Sequence, residues 1–275
     1  MATRAPSRAV PWLWLSVAAA VLAIAGSVVG LAWPRPYAGL TPAFWPQAIA
    51  QDIANLVVAS PLVLVSAALA LRGSARAYLL WLGALSFTVY NYVIYTFSIP
   101  FGPLFLLWVG VLALCTFALI GGLAEVDRTI AQRFAGPRLL TAVGWVLVVA
   151  GVLFALLWLS EDVSALLSGT RPASAAELAL PTNPVHVLDL AFFLPAVIGI
   201  GVQVLRRRPY AVAVAPVPLV FLLLTGVPIL ITPAVQAANG LPAGWSVALP
   251  IGVFTLVVLG LLVWLLATLR RPRTA

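Results

Sequence analysis

Eight apolar runs, each close to the length of a bilayer-crossing helix, alternate with connections that hold nearly all the arginines, among them a Pro- and aromatic-rich interfacial loop, 34–51, and a long polar loop, 160–184. The runs are 11–33, 52–71, 78–99, 103–124, 138–159, 185–205, 210–235 and 245–269. A helix rises about 1.5 Å per residue, so about 20 residues cross a hydrocarbon core of about 30 Å. Hydrophobic residues make up 63% of the chain and charged residues 8%, more apolar surface than a water-soluble core of this length can bury. The expected fold class is therefore an all-α integral membrane protein, an eight-helix transmembrane bundle forming a single transmembrane domain over 1–275. The first run exceeds the roughly 7–15 apolar residues of a signal peptide and lacks a small-residue cleavage site, so it reads as a retained span.

Orientation follows from the arginines. With the N-terminus inside, thirteen of the 15 fall on inner segments, from Arg4 and Arg8 to Arg270, Arg271 and Arg273. Only Arg35 and Arg171 fall outside. Excess arginine marks the cytoplasmic side, which predicts a multi-pass protein of the cell membrane with both termini cytoplasmic. The same placement accounts for the net charge of +8 without nucleic acid as a partner; the implied partner is the lipid bilayer.

Several chemistries lack their residues. With no Lys there is neither a retinal Schiff base nor a P-loop. One histidine cannot form an HExxH zinc site or a bis-His haem within a single chain. No G-x-S-x-G elbow occurs. Cys115 is the only cysteine and lies in an apolar run, so no disulfide forms within the chain. No catalytic residue and no cofactor is assigned, and the oligomeric state is left open.

The second and sixth runs share a pattern. Asp52, Pro61 and Arg72 have the same spacing as His186, Pro195 and Arg206, an offset of 134 residues. At that offset Asn55 falls on Asp189 and Asn91 on Thr225. This predicts internal repeats, 11–124 and 138–269, related by a twofold along the membrane normal, with a site at their interface as in parallel-repeat transporters.

Polar side chains within lipid are costly, about 2.5–3.5 kcal/mol for a charge at mid-helix, so their clustering is informative. Asp52 with Asn55, and His186 with Asp189, stand three apart and share helix faces. Thr88, Asn91 and Tyr95 make a third stripe. All fall at one depth, which predicts an outward-facing polar pocket with Asp189, His186, Asp52, Asn55, Asn91 and Tyr95 as ligand residues. Asp189 is its deepest acid, with His186, Asn55 and Asn91 as expected partners. His186, Asp189 and Asp52 also make a conceivable metal set. The competing reading solvates Asp52 and His186 at the interface, makes Tyr90, Tyr92 and Tyr95 an aromatic belt, and leaves Thr88 and Asn91 as interhelical glue. Pro61, Pro195, Pro228 and Pro233 are expected to interrupt spans, and broken helices in membranes line cavities or pack within protein.

The segments QDIANLVVASPLVL, RGSARAYLLWLGALSFTVYNYVIYTF and PTNPVHVLDLAFFLP resemble a family of uncharacterised bacterial multi-pass integral membrane proteins. The resemblance covers about half the chain and implies a class without a reaction. It implies a PTN…LDL…P pattern whose histidine position can be apolar, which leaves Asn183, Asp189 and Pro195 as the better-matched positions. Two functions fit: binding or transport of a small solute or ion, and an outer-leaflet enzyme or lipophilic-ligand protein. A membrane scaffold without a ligand is a third.

Overall fold

A backbone in lipid has to pair its own N–H and C=O groups, and an apolar run does so by closing into helix. The computed structural model describes residues 8–270, which are helical with short connections and contain no strand. Eight helices are long and apolar enough to cross a membrane: α1 (Val10–Ala32), α2 (Trp45–Leu71), α3 (Ala75–Ser98), α4 (Phe105–Ala124), α5 (Pro137–Ser168), α6 (Pro184–Leu205), α7 (Pro209–Ala238) and α8 (Trp245–Thr268).

The expected number of spans holds, but two boundaries shift with consequences for the site. α2 starts at Trp45, so Asp52 sits two turns inside the helix instead of at its mouth. Pro46 opens that helix because the first turn needs no proline N–H. α5 runs on to Ser168, so Glu161 and Asp162 are helical and not part of a long loop. At about 48 Å its 32 residues exceed the hydrocarbon thickness.

The prolines bend rules more than helices. Pro61 has no N–H to donate, and the turn before it widens to a π-turn, Asn55–Ala59, in which Ser60 N–H bonds the Asn55 carbonyl. Pro195 does the same over Asp189–Phe193, with Leu194 N–H bonding the Asp189 carbonyl. The two wide turns lie 134 residues apart. Pro228 and Pro233, expected to break α7, stay inside continuous helix. The interruption in α7 falls instead at Ala215, just before Pro216.

α1 packs along α2 and α4, and α3 lies between α2, α4 and α7. α5 packs along α6, and α7 along α8. α3 and α7 cross closely at Gly83, where a Cβ would stand 2.8 Å from the Val217 carbonyl. The arginine-rich connections gather at one end of the bundle. There Arg76 donates to the Leu269 carbonyl at 2.8 Å, Arg133 to the Arg270 carbonyl at 2.9 Å, and Arg207 to Thr141 at 2.7 Å. At the opposite end the Thr41 hydroxyl donates to the Glu177 carbonyl at 2.8 Å, tying the α1–α2 and α5–α6 connections together.

Candidate functional site

A cavity of about 410 Å³ lies between α2, α3, α5, α6, α7 and α8. Its walls are mainly aromatic and aliphatic, with Phe87, Phe221, Phe154 and Phe254 prominent. The polar groups along it include Gln47, Gln51, Asn91, Tyr95, Asn183, Asp189, Thr225 and Thr232. An apolar pocket of this size with a handful of placed polar groups is the usual form of a small-molecule site. Toward the arginine-rich end, the tight α3–α7 crossing at Gly83 lies one turn beyond Phe87.

Asp189 is the cavity's only acid. It opens the π-turn of α6 and is buried. One carboxylate oxygen accepts the Trp158 indole N–H at 2.8 Å. Tyr90, buried against Phe193 and Phe221, lies beside the same carboxylate. The Trp158 ring stacks on His186 with centroids 4.6 Å apart. His186 Nδ1 lies 2.9 Å from Asp162 Oδ1, and a carboxylate only accepts, so Nδ1 carries the proton. His186 Nε2 stands 3.8 Å from Glu161. Glu161 in turn accepts the Ser174 N–H at 2.8 Å, and Asn183 donates to the Ser174 hydroxyl at 2.9 Å while its own oxygen caps α6. The end of α5, the short helix Ala173–Glu177 and the start of α6 thus form one hydrogen-bonded strut. That strut sets the plane of Trp158, and through it the carboxylate of Asp189.

Asp52 has a different setting. It is 1% exposed and does not reach the cavity. Its Oδ2 accepts the Tyr37 hydroxyl at 2.6 Å and its Oδ1 the Tyr95 hydroxyl at 3.0 Å. Burial, with the Asp52 carboxylate second, holds the Tyr37 hydroxyl well above the ordinary phenol range, so it remains a donor. α1 presses on the pair from behind: a Cβ at Gly30 would collide with the carboxylate and stand 2.7 Å from the Tyr37 hydroxyl. Tyr95 separates Asp52 from the cavity. Asn55 joins α2 to α3, its oxygen accepting from Asn91 at 3.3 Å and Gln51 at 3.4 Å. Its amide nitrogen is buried without a partner.

The six residues expected to share one pocket therefore divide. Asp189, Asn91 and Tyr95 line the cavity, and Asp52 and Asn55 lie behind its α2–α3 wall. His186 faces a separate depression with Asp162 and Asn183. Asp189 takes its hydrogen bond from Trp158 rather than from the expected His186, Asn55 or Asn91. Asp52 and His186 are not solvated, being 1% and 3% exposed, and Tyr90, Tyr92 and Tyr95 are buried instead of forming a belt. The conceivable metal set of His186, Asp189 and Asp52 is dispersed. Among the described residues, no three His, Cys, Asp or Glu side chains gather to hold a metal ion. Trp158, Asp162 and Tyr37 went unread in sequence. Trp158 ends an apolar run, where tryptophan ordinarily marks the interface. Asp162 looked like loop, and only its i+4 relation to Trp158 on an extended helix joins them to one face.

No protein-family model matches the chain, and no match arises among curated proteins or solved structures.

Proposed function

We propose that this multi-pass membrane protein binds a small solute with an apolar body and one cationic or hydrogen-bond-donating group, and that binding serves its transport. The observation that carries the reading is a single oriented carboxylate, Asp189, in a mainly apolar and aromatic cavity. Such a cavity favours a ligand that buries apolar area and offers its polar group to the acid. The arginine distribution supports an extracytoplasmic mouth and cytoplasmic termini in the cell membrane. The bacterial multi-pass class suggested by the RGSAR and PTN motifs belongs to the same proposal.

Transport draws on the repeat. Gln51 and Val185, Phe87 and Phe221, Asn91 and Thr225, and Tyr95 and Ile229 are pairs at the 134-residue offset, and both members of each pair line the one cavity. The offset also relates the two π-turns, and Gly73 to Arg207, two of the six described residues with positive φ. This supports two parallel four-helix repeats with the site on their axis, the arrangement through which alternating access operates in other carriers.

A second reading, capture of a lipophilic ligand from the outer leaflet, is favoured by the α5–α8 seam. These helices touch sparingly, chiefly where Phe154 meets Phe254 with centroids 5.9 Å apart. That leaves the cavity close to lipid on one side.

Native mass spectrometry in mild detergent, wild type beside Asp189→Asn with metal analysis of both, tests the site. A bound mass present in wild type and absent from the variant is the expected result. A wild type and an equally stable variant that both carry no ligand would overturn it.

A further inference from the structure

We infer that Asp52 is a proton-binding site, and that the Tyr95 hydroxyl reports its protonation state to the cavity. Tyr95 has two acceptors and one proton. Tyr95 Oη lies 3.0 Å from Asp52 Oδ1 and 3.2 Å from the Ala48 carbonyl oxygen. A phenol has one proton and serves one of these acceptors at a time. With Asp52 ionised, Tyr95 donates to Oδ1. With a proton on Oδ1, the acid donates to the Tyr95 oxygen, and Tyr95 turns its own proton to Ala48. Tyr37 donates to Oδ2 in both states. Every polar atom of the trio is satisfied either way, so the same cage holds a carboxylate or a carboxylic acid. The step adds one proton from bulk water by way of the cavity and changes no other covalent bond.

The surroundings favour this use of the acid. Asp52 is in a membrane-spanning helix and 1% exposed, and among the described residues no cation lies within ion-pair distance of it. A lone charge there is expensive, whereas a neutral acid is not. The ionisable groups facing it are Tyr37 from the α1–α2 connection and Tyr92 and Tyr95 from α3, all phenols. From α1 come only Gly30 and the Ser27 hydroxyl, which lies beside the carboxylate and is buried without a hydrogen-bond partner. No space is left for a metal ion where a Cβ at Gly30 would already collide. Tyr95 and Ala48 both line the cavity, so the rotation of one hydroxyl alters which polar group a ligand meets. The proton site stands on its own geometry, and its consequence for a ligand rests on the cavity reading above.

The test needs no ligand. Infrared spectra of the Asp189→Asn protein, whose cavity acid is silenced, are recorded across pH beside the Asp52→Asn/Asp189→Asn double variant. A fluorinated thiol label on Thr225→Cys, with Cys115→Ser, reports the cavity by ¹⁹F NMR in both. The expected result is a carboxylic-acid carbonyl band that grows as pH falls and is lost in the double variant, with the label's resonance moving over the same pH range only while Asp52 is present. Tyr95→Phe removes a charge-assisted bond to the ionised form and is expected to move the band's midpoint to higher pH. Tyr37→Phe gives the same readout should the double variant fold poorly. Absence of any band dependent on Asp52 or on these tyrosines would overturn the inference. So would a band whose titration leaves the cavity label still. Neither outcome touches the bound-mass result, which depends on Asp189.

Discussion

The α1–α4 and α5–α8 regions treat their acids in opposite ways. In the first, α1 closes over Asp52, and α1 and α4 interlock: a Cβ on Gly26 would stand 2.7 Å from Leu107. In the second, α5 and α8, which the proposed repeat sets against α1 and α4, meet sparingly around Phe154 and Phe254. The space left between them becomes cavity, and Asp189 faces it. The bundle thus holds a sealed acid, Asp52, satisfied by its own protein, and an open acid, Asp189, that faces a cavity. Packing of the outer helices, and not the residue type, decides which acid is available to a ligand.

The contrast breaks most severely at Gly30. Gly30→Val is expected to destabilise the fold by about 3 kcal/mol, since the added side chain meets the Asp52 carboxylate and Tyr37. Gly260→Val in α8, where nothing lies within 4 Å, is expected to change stability by about 0.5 kcal/mol or less. Thermal unfolding in detergent separates the two.

Removing the acids one at a time sharpens the same contrast. Asp52→Ala strands the buried Tyr37 hydroxyl, leaves Tyr95 only the Ala48 carbonyl, and is expected to cost about 2 kcal/mol. Asp189→Ala strands the Trp158 indole next to an open cavity and should cost about 1 kcal/mol while abolishing the bound mass. Equal losses of stability would mean that the acids are equally structural. The strut is the subtler case. His186→Phe keeps a ring on Trp158 but loses the bond to Asp162; it is expected to weaken ligand retention several-fold with a stability change of about 1 kcal/mol, read by native mass spectrometry and thermal unfolding.

The bundle was readable in the sequence because lipid imposes one rule, that apolar runs of bilayer length close into helix. The eight spans followed from it. Interior placement was harder to read. Asp52 looked interfacial because Pro46 and Gln47 resemble loop residues, whereas Pro46 opens the helix and carries Asp52 two turns inward. Glu161 and Asp162 looked like the start of a loop because polarity signals departure from lipid, and α5 leaves the hydrocarbon without leaving helix. The three-residue spacing that put His186 and Asp189 on one face was sound as helical geometry, and both meet Trp158, His186 by stacking and Asp189 through the indole N–H, instead of bonding each other. Depth and phase locate a side chain on its own helix; the neighbour it meets depends on packing that a single sequence does not state.

The most direct test uses one pair at the 134-residue offset of the proposed repeat. Phe154 lines the cavity on α5, and the residue 134 positions before it, Ala20 on α1, is buried at 4% exposure. Each is changed to Cys in a Cys115→Ser background, and sealed vesicles are treated from either side with a small charged thiol reagent. Phe154→Cys is expected to react from the arginine-poor side, and Ala20→Cys from neither. Reaction of both, or of neither, would contradict an open site in one region opposed to a sealed acid in the other.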